Sequence, residues 1–325
     1  MSPKQHFSLM LAVFLSFTIS SLSRAEVKIP GALASVTHSV ITADSNKIDY
    51  DVWVWTPLSY DPETQAYPLM VLLDGYMLMG TAVEAVNLQN ITGEAKPVIV
   101  VGVSTAPPLD HGVQRSIDYS ADVPSLETPP GGEFSFWAFF KYYFESSGIQ
   151  FEEGFGGTDE FYGFLADQLL PQLQGKYAID PAEIGIAGHS SGGDFVVDTL
   201  LRKQTPFSKF IVGSYGADVL AARLPQREKD FAALSVPRPL TVFAGYGVAE
   251  IEDPALTHYI QSGIDLLERL GASDPNNVSM EIRGFDKENH GSVFHHVLGS
   301  GIREMWSTGA KMSDMLNPTL LPAGN

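Results

Sequence analysis

The residues most able to do chemistry lie in the stretch IGIAGHSSGGDF, residues 184–195, where two adjacent serines stand between glycines. A nucleophilic serine at a sharp turn between a strand and a helix needs glycine two positions before and two positions after it, because larger side chains would collide there. Ser190 meets this rule with Gly188 and Gly192, whereas Ser191 fails it. The pattern predicts Ser190 as the nucleophile and the backbone N–H of Ser191 as an oxyanion-hole donor.

A serine hydroxyl is a weak nucleophile unless a general base takes its proton. Of the eight histidines, His290 is the one in a predicted loop that follows the last predicted strand and precedes a helix. Catalytic groups in a parallel sheet gather at the carboxyl ends of the strands, so His290 is the predicted base. His189 is next to the serine but faces the wrong way round the turn, and we expect it to be a packing residue.

A carboxylate that orients the base should lie between the serine and the histidine, after a strand. Glu250 follows the predicted strand TVFAGYG most closely and is the preferred acid. Glu252, Asp253 and Asp286 remain open as alternatives, and Asp253 precedes a proline where it could cap the next helix instead.

A second oxyanion donor is expected after an early strand. The run VLLDGYMLMG has Gly75, which allows a turn, so the N–H of Tyr76 could point into the site. Asp74 is expected to brace this turn rather than to take part in the chemistry.

The elements that must position these groups alternate between strands and helices. Apolar–polar alternation predicts a hairpin over 36–41 and 48–56, and continuous apolar runs predict buried strands in YPLMVLLDG and KPVIVVGVS. Helical spacing predicts a helix over Asp159–Gln174 with a kink at Pro171. Between these lies a long stretch predicted to be irregular. The alternation favours a single α/β domain with a mostly parallel central sheet flanked by helices.

Composition limits the classes of partner and chemistry. The 325 residues carry a formal net charge of −18 and no cysteine. The negative surface disfavours nucleic acid and anionic lipid as partners, and the missing thiols exclude disulfides, thiol catalysis and cysteine-bound metal. His290, His295 and His296 lack metal-ligand spacing, so no metal and no other cofactor is predicted.

The first 25 residues have the pattern of a secretory signal peptide. Lys4 and His6 precede an uncharged apolar run, and small residues at positions 23 and 25 favour cleavage after Ala25. The apolar run is short for a bilayer span, so no stable membrane insertion is expected. Residues 26–325 are predicted to form the hydrolase domain, in the periplasm or outside the cell.

Several motifs together resemble the esterase D-like family of α/β hydrolases over roughly residues 35 to 306. They are YDVWVWTPLSYDPETQAYPLMVLLDG, the Arg115, Asp118 and Tyr119 element in GVQRSIDYS, the segment that ends in GHSSGG, AGYGVAE and NHGSV. The resemblance implies an α/β-hydrolase fold and a small-molecule ester substrate, and it places the family acid on Glu250. Some members of the family act with a serine–histidine pair, so a dyad remains open.

The interpretation is therefore a serine esterase with Ser190, His290 and Glu250 as its triad. An acyltransferase using the same site and a non-catalytic binding protein of the same fold are the alternatives. The chain departs from the family in residues 121–153, where FSFWAFFKYYF has eight aromatic side chains among eleven residues. This insertion is predicted to form either a lid or pocket wall, or a buried helix.

Overall fold

One continuous sheet organises the molecule. The structure is a computed structural model that describes residues 33–128, 135–233, 239–273, 278–311 and 313. Eight strands in these residues form a single sheet in the order β1-β2-β4-β3-β5-β6-β7-β8. The strands are β1 (Thr37–Thr42), β2 (Asp49–Trp55), β3 (Tyr67–Leu73), β4 (Ile99–Thr105), β5 (Ile179–His189), β6 (Lys209–Gly213), β7 (Leu240–Gly247) and β8 (Val278–Phe285).

The first two strands form the predicted antiparallel hairpin, and β2 is also antiparallel to β4. All the other neighbouring pairs are parallel. Every residue of β3 and β4 is buried, as expected for strands covered on both faces. The carboxyl ends of β5, β6 and β7 therefore meet at one edge of the sheet, where the turns that follow them can share a site.

Helices cover both faces of the sheet. They are α1 (Gly75–Ile91), α2 (His111–Tyr119), α3 (Phe136–Ser146), α4 (Thr158–Gly163), α5 (Leu170–Lys176), α6 (Ser191–Leu200), α7 (Leu224–Ala232), α8 (Val248–Glu252), α9 (Thr257–Ala272) and α10 (Val293–Trp306). The buried side chains of α1 and α10 pack on one face. Those of α2 to α7 and α9 pack on the other face. The predicted α/β architecture is confirmed.

Two local predictions need correction. The helix expected over Asp159–Gln174 is present but divided, because a π-helical segment, Phe164–Leu169, separates α4 from α5. Pro171 lies in the first turn of α5 and has no N–H to continue an α-helical ladder, which accounts for the wider turn before it. The region expected to be irregular contains α2 and α3, and His111 begins α2.

The predicted signal peptide, residues 1–25, lies outside the described residues and stays a prediction. Among the residues that the structure does describe, we find no helix with the length and apolar character needed to cross a membrane.

Candidate active site

The turn between β5 and α6 holds Ser190 in a strained backbone conformation. Its φ is 59° and its ψ is −130°, a region that L-residues rarely adopt. The Ser190 N–H donates to the carbonyl of Gly213 at 2.8 Å, which ties the turn to the end of β6. A Cβ on Gly188 would lie 2.3 Å from the carbonyl oxygen of Gly192, so the backbone packs too closely there for any other residue. This is the geometry of a nucleophile elbow.

Glu250 and His290 meet across the ends of β7 and β8. Glu250 is the third residue of α8 and is fully buried, and its Oε1 lies 2.6 Å from Nδ1 of His290. Its Oε2 accepts hydrogen bonds from the N–H of Gly247 at 2.6 Å and from the hydroxyl of Ser214 at 2.8 Å. With Nδ1 turned to the carboxylate, Nε2 is the imidazole nitrogen left to receive a proton from a hydroxyl.

The electrostatics keep this carboxylate ionised. Burial alone would raise the pKa of Glu250, but the hydrogen bonds from His290, Gly247 and Ser214 together lower it below its ordinary value. A buried carboxylate with three donors can stabilise an imidazolium beside it without taking its proton.

The three other acids considered from the sequence do not occupy this position. Glu252, Asp253 and Asp286 are exposed. Asp253 Oδ1 accepts the N–H of Ala255 at 2.9 Å, so its side chain bonds to the turn that precedes α9. The structure thus brings one of the four candidate acids, Glu250, to the imidazole.

His189 packs behind the candidate base, as expected from the sequence. Its ring centroid lies 4.7 Å from that of His290 and 5.0 Å from that of Phe294. Its Nε2 lies 2.8 Å from the carbonyl oxygen of His290, so Nε2 carries the proton. Burial, followed by the charge of His290, lowers the pKa of His189 to about 4, and the ring is neutral at physiological pH.

The predicted oxyanion donors lie at the starts of two helices. Ser191 is the first residue of α6 and is buried. Tyr76 lies in the first turn of α1, and its N–H donates to the hydroxyl of Ser104 at 3.0 Å. An oxyanion would have to share this N–H with Ser104 or displace the hydroxyl, so the role of Tyr76 stays a prediction.

Asp74 forms a buried ion pair next to the site. Its two carboxylate oxygens accept from Nε and a terminal nitrogen of Arg115 at 2.7 and 2.9 Å. His111 Nε2 lies 3.6 Å from the same carboxylate. Burial acts to raise the pKa of Asp74, but Arg115 and His111 overcome it and lower the pKa to about 2. Asp74 is therefore an ionised brace, in line with the sequence expectation.

Sequence reasoning missed two polar residues around the site, Ser214 and Ser104, and it named Arg115 only as part of a family motif, without a role. Ser214 follows β6 and donates to Glu250, Ser104 lies at the carboxyl end of β4 and accepts the Tyr76 N–H, and Arg115 donates to Asp74. Ser214 and Ser104 both lie at carboxyl ends of strands, which is the signal that could have identified them.

The sheet, the elbow and the paired His290 and Glu250 define the α/β-hydrolase class. Residues 44–218 match the family described as "Putative esterase". The chain belongs to this family, and it is a serine hydrolase that acts on ester bonds.

Relatives and solved structures match this chain over most of its length. The ferri-bacillibactin esterase BesA of Bacillus subtilis is 26% identical over 262 residues, which are 78% of this chain and 83% of BesA. The BES protein of Bacillus cereus superposes with a TM-score of 0.66 at 21% identity, covering 86% of this chain and 97% of that one. The siderophore hydrolase EstA of Aspergillus nidulans has a TM-score of 0.66 at 20% identity, covering 86% and 96%. At these identities the two structures show the shared fold.

Proposed function

We propose that the protein is an exported carboxylic-ester hydrolase with Ser190, His290 and Glu250 as its triad and a siderophore ester as its substrate. The 2.6 Å contact between His290 Nδ1 and the buried Glu250 carboxylate is the observation that carries the triad. The substrate class rests on EstA, which is named a siderophore hydrolase, and on BesA, which is named a ferri-bacillibactin esterase.

The reaction proceeds in two halves. Ser190 Oγ attacks the ester carbonyl while His290 Nε2 takes its proton, and Glu250 stabilises the imidazolium. The N–H of Ser191, joined by that of Tyr76, holds the negative oxygen of the tetrahedral intermediate. The imidazolium then returns the proton to the leaving alcohol, and water, activated by the same base, releases the acid from Ser190.

Hydrolysis is preferred over acyl transfer because the relatives compared above are named as esterases and hydrolases. A non-catalytic binding protein is disfavoured because it would have no use for a serine held at φ 59°.

The triad is tested with Ser190→Ala and its neighbour Ser191→Ala. Ser190→Ala should lower ester turnover roughly 10³-fold or more. Ser191→Ala should be much milder, because the backbone N–H survives. Turnover of p-nitrophenyl acetate measures both, and a reversal of their order would contradict the assignment of Ser190.

The substrate class is tested by comparing kcat/KM for three esters: a triester siderophore with and without iron, an aryl ester and a short acyl ester. The siderophore should have the highest value, and a higher value for the short acyl ester would contradict this part of the proposal.

Export predicts that the mature chain recovered from outside the cytoplasm begins at Glu26, as N-terminal sequencing would show. A chain recovered there that still begins at Met1 would contradict cleavage.

A further inference from the structure

Arg115 touches both of the turns that carry the predicted oxyanion donors. It lies on α2, far in sequence from either turn. Its guanidinium forms the two-pronged contact with Asp74, the residue before Gly75 and Tyr76. The same terminal nitrogen donates to the carbonyl of His189 at 3.0 Å, the residue before Ser190.

Both turns are in backbone conformations that need support from outside. Asp74 has a left-handed backbone with φ 55°, and Ser190 has φ 59°. Such conformations are disfavoured by themselves and persist where the surrounding contacts fix them. An arginine bonded to one turn and to the residue before the other is a contact of that kind.

Arg115, Asp74 and the carbonyl of His189 form a contact that we call the clamp, and its charged side chains are shielded from water. The side chains of Arg115 and Asp74 are 16% and 2% exposed. Asp74 Oδ2 also lies 3.3 Å from where a Cβ on Gly192 would be, so the carboxylate packs against the elbow itself. A planar guanidinium in a buried pair fixes direction as well as distance, which an ammonium group cannot do.

Tyr119, from the same helix, completes the arrangement. Its hydroxyl accepts the N–H of Asp74 at 3.3 Å, and the Arg115 guanidinium lies 5.3 Å from the centre of its ring. Arg115 and Tyr119 thus both secure the turn that begins α1.

We propose that Arg115 is a positioning residue that fixes the Tyr76 turn and the Ser190 elbow relative to each other. In that arrangement the N–H groups of Tyr76 and Ser191 converge on the same oxyanion. This inference rests on the proposed function. In this proposal Arg115 acts on the rate through its bonds to Asp74 and His189, which belong to the two turns.

The test compares Arg115→Ala with the matched variant Arg202→Ala. Arg202 also forms a buried pair, with Asp198 at 2.6 Å, but at the opposite end of α6. Arg115→Ala should lower kcat for p-nitrophenyl acetate roughly 10²-fold, the order expected for a misplaced oxyanion donor, with KM changed less than about threefold. Arg202→Ala should lower the Tm and leave kcat within about twofold.

Either of two results would overturn the proposal. One is an unchanged kcat with a raised KM in Arg115→Ala, and the other is an equal loss of kcat in Arg115→Ala and Arg202→Ala. Should Arg115→Ala not fold, Arg115→Lys decides. It keeps a cation beside Asp74 without the two-pronged geometry, so kcat should fall about tenfold by the same reasoning. Wild-type kcat in the folded Lys variant would overturn the clamp.

Labelling by a fluorophosphonate separates this inference from the proposed function. If the wild type is labelled and Ser190→Ala is not, the serine hydrolase chemistry stands, and a slower labelling rate in Arg115→Ala supports the clamp. Labelling of Arg115→Ala at the wild-type rate would overturn the clamp alone. Failure of the wild type to react with the probe or with any ester would overturn the proposed function, and the clamp with it.

Discussion

At the scale of single residues, Glu250 shows how an environment selects one acid among several. Its carboxylate is buried and receives three donors, from His290, Gly247 and Ser214. Each donor favours the ionised form, and together they outweigh the cost of burial on its pKa. The carboxylate can therefore fix the tautomer of His290 and stabilise its charged form.

Glu250→Gln should reduce kcat by up to about 10⁴-fold, because an amide can donate to Nδ1 and leave the imidazole in the wrong tautomer. Glu252→Gln, two residues away on the exposed side of α8, is the matched control and should keep wild-type turnover. Steady-state hydrolysis of p-nitrophenyl acetate distinguishes the two. Full activity in both variants would mean a Ser190–His290 dyad and would remove Glu250 from the triad.

At the scale of elements, α3 shows a packed role for part of the aromatic insertion. Trp137 is 5% exposed, and its indole N–H donates to the carboxylate of Asp218 at 3.0 Å. Its ring contacts that of Tyr259 on α9, as does the ring of Phe136, which stacks on Tyr259 with centroids 5.3 Å apart. Trp137 thus attaches α3 to the body of the molecule. The lid or pocket-wall role of the insertion stays a prediction.

Trp137→Ala should lower the free energy of unfolding by about 3–5 kcal/mol, since it empties a large buried volume and leaves Asp218 without its indole donor. The order of preference among acyl and aryl esters should stay as in the wild type. Tyr142→Ala, on the exposed side of the same helix, should change neither property, because Tyr142 is 73% exposed. Thermal unfolding and a substrate panel measure both effects; an altered order of preference at wild-type Tm would support a pocket wall instead.

At the scale of the whole molecule, stability is coupled to pH through a buried acid below the nucleophile. Asp194 lies on α6, is fully buried, and accepts from the Gly216 N–H at 2.7 Å and from the Tyr259 hydroxyl at 2.8 Å. Burial raises its pKa to about 8 in spite of these donors. The folded protein thus keeps a proton that the unfolded chain releases near pH 4.

The direction in which the unfolding free energy changes with pH follows from this difference in protons bound. Between about pH 4 and pH 8 the unfolded state holds fewer protons at this site, so the contribution of Asp194 to stability falls as pH rises, by at most ~1.4 kcal/mol per pH unit. Asp194→Asn mimics the protonated acid and should flatten this part of the pH profile of the unfolding free energy. Asp286→Asn, an exposed acid, should leave the profile unchanged. Denaturant unfolding from pH 5 to pH 8 checks this, and parallel profiles for wild type and Asp194→Asn would contradict it.

Features that depend on neighbouring residues can be predicted from the local sequence alone. Gly188 and Gly192 identify Ser190 because the close backbone contact at the elbow is a local property of that turn. The apolar runs identify β3 and β4 because strands covered on both faces leave no position for polar side chains.

Contacts between residues far apart in the sequence depend on the fold of the whole chain. Glu250 is 40 residues from His290 and Arg115 is 74 from His189, so these contacts depend on the order and register of the strands. Proximity to the preceding strand favours Glu250 but leaves Glu252 open, whereas the fold buries Glu250 beside the base and leaves Glu252 exposed. Likewise, aromatic composition could not place Trp137 in the core, because burial of a side chain depends on the helix packed against it, here α9.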